Sequence, residues 1–259
     1  CTGAAMAGAR PVVDFMFIDF ELDALGELFH QTSRIQYMSQ GRIRMPMLLR
    51  GCIGISGSAG PHHSGNYYPL FVHLPGFRVA VPTTPADAKG LIKTALRSHD
   101  PVLFLEHKGL LNVKGPVPDG EHLVPFGQAA IVREGRDVTI VAVALEVRRA
   151  LEAAAQLERE GISVEIIDPR TLAPLDMATI LASVHRTGRL LIVDEDWAPC
   201  GIGAEIAAQV VDRAFDDLDA PIRRLNGAFA PTPYSPPLEA AVVPNDEAIA
   251  RAVRDLVAE

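Results

Sequence analysis

Apolar positions in the second half of the chain switch between two periods. Residues 137–144 (DVTIVAVA) form a short β-rich run, the pattern of a strand covered on both faces. Val147, Ala150, Leu151, Ala154 and Leu157 then recur at the spacing of one helix face, and Gly161 stands where a helix C-terminal glycine belongs. Residues 163–168 (SVEIID) give a second strand. Asp176 is placed to cap a helix that carries Ile180, Leu181 and Val184 and ends at Gly188. Beyond it, 190–193 reads as a strand, 203–218 as a helix, 222–225 as a strand and 246–257 as a last helix capped by Asn245. Strands alternating with helices predict a parallel sheet with helices on both faces.

The first half is mixed and less regular. Residues 11–17 (PVVDFMF) read as a strand, and 22–37 as a helix with Leu25, Leu28, Phe29 and Ile35 on its apolar side. A short strand begins at 47–49, and the glycine-rich stretch 51–65 reads as a loop. Strands at 77–81 and 102–105 flank a helix at 85–98. Gly, Pro and mixed charge after Lys108 mark a linker. The expected organisation is therefore two doubly wound α/β domains, 1–110 and 124–259, joined by 111–123.

Composition narrows the function. The chain is 48% hydrophobic and 22% charged, which suits a packed protein and excludes disorder. A net charge of -8 argues against a nucleic-acid or anionic-membrane binder. Cys1, Cys52 and Cys200 are too few and too scattered for a disulfide framework or a metal-ligand spacing. No apolar run approaches the ~18 residues that a membrane span needs, and no signal-peptide pattern is present.

Three segments could carry chemistry. Gly60-Pro61-His62-His63-Ser64-Gly65 puts histidines, the side chains suited to proton traffic near neutral pH, on a flexible loop. Taken alone it reads first as two surface histidines. Asp14-Phe15-Met16-Phe17-Ile18-Asp19-Phe20 offers a thioether and aromatics that could sandwich a flat ring, although Met16 and Phe20 read equally as core. Asp14 and Asp19 are awkward in a core strand and turn the segment toward a polar surface. Gly201-Ile202-Gly203-Ala204-Glu205-Ile206 starts like a dinucleotide fingerprint, but Ile206 stands where Gly or Ala is needed; a tight turn opening a helix fits better.

Longer segments then identify a relationship. GAAMAGARPVVDFM (3–16), Tyr37-Met38-Ser39, the 60–64 loop, HLPG (73–76), ADAKGL (86–91), DPVLFLEHK (100–108), DVTIV, DPRTLAPLD (168–176) and HRTGR (185–189) follow in order. Together they resemble the E1 β-subunit family of pyruvate, branched-chain 2-oxo acid and acetoin dehydrogenases along nearly the whole chain. The resemblance implies a transketolase-like pyrimidine-binding domain followed by a transketolase C-terminal-like domain. It implies thiamine diphosphate as cofactor, shared with an E1 α subunit that holds the Mg2+, in an α2β2 heterotetramer serving a lipoyl acyltransferase E2.

Residue by residue, Met16 and Phe20 match positions that pack against the aminopyrimidine ring. His63, which directly precedes Ser64 as in the family's HS pair, matches the active-site histidine that orients substrate and assists proton transfer. Backbone carbonyls at Ala95, Ser98 and Asp100 match a structural potassium site. The resemblance further implies a cytoplasmic protein, or a mitochondrial matrix one in a eukaryote.

The chain also departs from the family pattern. The family's cofactor-activating glutamate precedes the segment matching Gly3, and this sequence begins at Cys1, so the expectation is an N-terminally truncated first domain, inactive alone. Gly65 and Tyr68 stand where Gln and Glu are usual, which bears on substrate range. Ala144 replaces a usual glycine and Phe229 a usual aspartate. Two other readings are carried: the C-terminal half of a split transketolase, and a non-catalytic assembly subunit on the same scaffold.

Overall fold

A computed structural model describes residues 1–259, which divide into two compact units. The first comprises Cys1–Gln128 together with Thr171–Pro174; the second comprises Ala129–Arg170 and Leu175–Glu259. No helix is long and apolar enough to cross a membrane.

The first unit holds strands β1 (Val12–Phe17), β2 (Leu48–Ile53), β3 (Arg78–Ala80), β4 (Val102–His107) and, late in sequence, β8 (Thr171–Ala173). Their order is β1-β2-β4-β3-β8, all parallel except β8, which runs antiparallel to β3. Helix α1 (Pro85–Arg97) packs Leu91 and Ala95 against Leu48, Val102 and Phe104. Thr84 caps it, its hydroxyl accepting from the Asp87 N–H at 3.1 Å.

Four expectations change here. The helix read over 22–37 breaks into short α, 3-10 and π turns between Ile18 and Met38, with Gly26 and a β-branched pair, Thr32 and Ile35, among them. The stretch read as a loop from residue 51 is still strand as far as Ile53, because central β4 supplies a full ladder of partners. Residues 168–176 read as part of the second domain, yet β8 completes the first unit's sheet. Val124, the expected start of the second domain, lies in the α1 core, and the Thr94 hydroxyl donates to its carbonyl at 2.8 Å.

The second unit is more regular. Its sheet runs β10-β9-β6-β7-β5, with β5 (Ala130–Arg133), β6 (Val138–Ala142), β7 (Val164–Asp168), β9 (Leu190–Trp197) and β10 (Arg223–Gly227); only β5 is antiparallel. Helices α2 (Leu145–Glu158), α3 (Met177–Thr187), α4 (Ile202–Ala214) and α5 (Asp246–Ala258) surround it. The α2 stripe at Val147, Ala150, Ala154 and Leu157 is buried against β6, β7 and α5, as its period requires. Fully burying each of the larger side chains contributes ~1.5–3 kcal/mol. Asp176 and Asn245 cap α3 and α5, and Gly188 ends α3 at φ +66°. Gly201 opens α4, as expected of a turn rather than a dinucleotide loop.

Candidate active site

The site is built at the C-terminal ends of parallel strands in the first unit, where an open α/β sheet exposes its loops. β1 ends in a bulge: its register against β2 shifts between Asp14 and Met16. Met16 sits in left-handed backbone at φ +66°, and its N–H donates to the Asp14 carboxylate at 2.8 Å. Met16 is 61% exposed, on the same outward side of β1 as Val12 and Asp14. Asp14 also accepts from Arg50 at 3.0 Å, and Arg50 donates to Glu106 at 2.5 Å, so the awkward acid of β1 belongs to an ion network across three strands. The Glu106 hydrogen bond raises the Arg50 pKa above its ordinary value.

Phe17, Phe20 and His63 meet edge to face. The centroids lie 5.8 Å apart for Phe17–Phe20, 4.8 Å for Phe17–His63 and 5.4 Å for Phe20–His63. His62 is exposed. The histidine loop is closed at its base, where the Gly54 N–H donates to the Gly65 carbonyl at 3.3 Å. Asp19 accepts from the Gly65 N–H at 3.2 Å. Lys108, just past β4, donates to the His63 carbonyl and to the Ser64 hydroxyl at 3.2 Å, and its ammonium lies 5.7 Å from the Phe17 ring centroid.

Sequence reasoning thus singled out Met16, Phe20 and His63, of which the structure brings Phe20 and His63 into contact through their rings. It missed Phe17 and Lys108. Phe17 was one residue from a nominated position, and Lys108 was quoted only inside a longer segment; no motif marks either. A cleft of about 770 Å³ lined by Ser33, Tyr37, Gly76, Arg78 and Asp100 includes none of Met16, Phe20 or His63.

The residues present fit the pyrimidine half of thiamine diphosphate. The aromatic cluster gives an apolar face beside a histidine, and Met16 adds an exposed thioether at the same strand end. The carbonyls nominated for potassium form an oxygen-only set, suited to a hard cation, and each already accepts an internal hydrogen bond. Ala95 accepts from the Ser98 N–H, Asp100 from the Ser98 hydroxyl, and Ser98 from the Arg10 guanidinium at 2.7 Å. A second lone pair remains on each, with Arg10 a competing positive charge.

Two other groups flank the site. Cys52 on β2 has a thiol held above its ordinary pKa by burial and by Glu106, so it stays protonated. Glu21, directly after Phe20, is fully buried and neither carboxyl oxygen has a hydrogen-bond partner. Burial pushes its pKa from 4.5 up to about 8.

Two transketolase-type units, the first ending in an aromatic and histidine cluster, define a thiamine-enzyme scaffold. Residues 1–114 match the transketolase pyrimidine-binding domain, and residues 127–249 match the transketolase C-terminal domain. The β subunit of acetoin:2,6-dichlorophenolindophenol oxidoreductase from Cupriavidus necator is 47% identical over 97% of this chain and 75% of that protein. Its Bacillus subtilis counterpart is 42% identical over 99% of this chain and 76% of that protein. The pyruvate dehydrogenase E1 component β subunit of Rickettsia conorii is 41% identical over 97% and 77%. A solved split-gene transketolase, described as an inactive β4 tetramer, superposes with a TM-score of 0.82 at 21% identity, covering 99% of this chain and 79% of that one; it shares the fold. The chain belongs to the E1 β-subunit family of thiamine-diphosphate-dependent 2-oxo acid and acetoin dehydrogenases.

Proposed function

We propose that this chain supplies the pyrimidine-side face of a thiamine diphosphate site completed by an E1 α subunit. That subunit holds the diphosphate and its Mg2+ in an α2β2 assembly. The assembled enzyme cleaves acetoin, releasing acetaldehyde, or a small 2-oxo acid such as pyruvate, releasing CO2, and passes the two-carbon unit as an acyl group to the lipoyl disulfide of an E2, which is reduced. The observation that supports the reading best is the Phe17–Phe20–His63 cluster at the strand end that also carries the exposed Met16. Acetoin comes first because the highest identity quoted above is to an acetoin enzyme.

Thiamine diphosphate, when bound, supplies the carbon nucleophile and the electron sink. Met16 and Phe20 hold the flat ring by sulfur and aromatic contact. Phe17 backs the imidazole. His63 orients the substrate and moves a proton as the acyl group passes to sulfur.

The test is co-expression with a neighbour-encoded α subunit, followed by dye reduction dependent on thiamine diphosphate and on acetoin or pyruvate. His63→Ala is expected to leave folding intact and lower acyl transfer ~100-fold or more. Lipoyl acylation at the wild-type rate would remove His63 from the chemistry. Ketol transfer without substrate-dependent dye reduction would favour the split-transketolase reading. No thiamine-dependent turnover would favour the assembly subunit.

The potassium site at the Ala95, Ser98 and Asp100 carbonyls is part of the same proposal. Melting in KCl should exceed melting in NaCl at equal ionic strength. Equal values would leave Arg10 as the cation that serves these carbonyls.

A further inference from the structure

The polar contacts around the histidine loop converge on a residue that no motif marks. We propose that Lys108 is a positioning residue for His63. Its ammonium pins the His63–Ser64 crest of the loop against the Phe17 ring and so presents the imidazole in one orientation. The inference rests on the reading of the site given above and adds the group that fixes its histidine.

At the base of the loop from Gly54 to Gly65 lie the Gly54–Gly65 hydrogen bond at 3.3 Å and the Gly65–Asp19 one at 3.2 Å. Both act on Gly65, next to Ser64, rather than on His63. Within the loop, the His63 N–H meets the Gly60 carbonyl only at 3.5 Å, the outer limit of a hydrogen bond. Lys108 reaches the His63 carbonyl and the Ser64 hydroxyl from another element, and the same ammonium faces Phe17, whose ring packs with that of Phe20 on the imidazole itself. One cation therefore ties the end of β1, the loop crest and the end of β4.

The base of Lys108 is itself fixed. His107 is buried at the end of β4, and its Nδ1 accepts from the Gly109 N–H at 3.0 Å, closing the single 3-10 turn Lys108–Leu110. The same imidazole fills the space that a side chain at Gly54, φ +97°, would need. The end of β2, which starts the loop, and the end of β4, which carries the lysine, are thus packed together. The chemistry asks for a long stem with several donors and no acceptor, which lysine provides. A charge-assisted bond to a loop carbonyl orders that carbonyl more firmly than a neutral one.

The test compares Lys108→Met, which keeps stem length without donors or charge, with Lys108→Arg, which keeps both. Each full chain is assembled with its α subunit. Amide hydrogen exchange over residues 60–65 reads the loop without turnover. The methionine variant should exchange ~10-fold faster there, with the arginine variant near wild type and the strands unchanged. In steady state, the methionine variant should lose ~10–100-fold in kcat for lipoyl acylation. Its KM for the 2-oxo substrate should stay within about threefold, and arginine should restore most of kcat.

Equal exchange in all three chains, a wild-type kcat in Lys108→Met, or faster exchange throughout the unit would each overturn the proposal. A wild-type assembly that protects residues 60–65 but oxidises neither acetoin nor any 2-oxo acid would instead overturn the functional reading, with the clamp still judged by exchange.

Discussion

Met16 faces outward from β1 in left-handed backbone. A non-glycine residue in left-handed backbone costs ~1–3 kcal/mol, and the Asp14 carboxylate offsets part of that by accepting the Met16 N–H. Phe20, four residues on, lies in the aromatic cluster with Phe17 and His63. Phe20→Ala in the assembled enzyme should weaken thiamine diphosphate binding ~10-fold or more, since a well-buried aromatic contact contributes ~1.5–3 kcal/mol. A titration with equal affinity would exclude Phe20 from the cofactor face. Glu21 adds a pH term. It ionises near 4.5 when unfolded and near 8 when folded, so between those values the folded chain holds the extra proton. Stability contributed by that proton is present below about 4.5, falls as pH rises, and is gone above about 8. Glu21→Gln should therefore flatten the decline, gaining on the native chain from pH 5.5 to 8.5 in urea melts. A variant whose offset is the same at both pH values would refute this. Glu146 and Asp196, also raised to about 8 with burial the largest cause, cancel in that comparison because both chains carry them.

At the scale of elements, the second unit was the more legible because its strands and helices obey one period each. The α2 stripe, the caps at Asp176 and Asn245 and the glycine at 188 each fell where the pattern put them. The segment after β1 was misread because its apolar residues fit a helix period while several backbone turns follow a tighter or wider path. Pattern reports which side chains want burial and is blind to whether each turn closes on the third, fourth or fifth residue. The β6-to-α2 turn shows what pattern can mark without explaining. Ala144, noted in the sequence as replacing a glycine, adopts φ +53° and ψ −121°, a conformation that an L side chain resists. Ala144→Gly should raise stability by ~1 kcal/mol, visible as a higher melting temperature with activity retained. An unchanged or lowered melting temperature would show that the buried methyl outweighs the backbone relief.

For the molecule as a whole, two α/β units and their type could be read from alternating periods and from ordered motifs spread along the chain. The Phe20–His63 contact could not, because 43 positions of sequence separate residues that only the β1–β2–β4 ladder brings together. Lys108 was hidden for the same reason. The three residues of β8 were hidden differently, since a strand that short carries no period of its own. They close the open side of β3 in a sheet whose other members all come before Gln128. A gene divided at the evident linker would therefore yield a first product with a raw, unpaired rim on β3, inviting a foreign strand to take the vacant berth. Modular exchange between relatives needs to carry residues 171–174 along with the first 128, or supply a substitute for them.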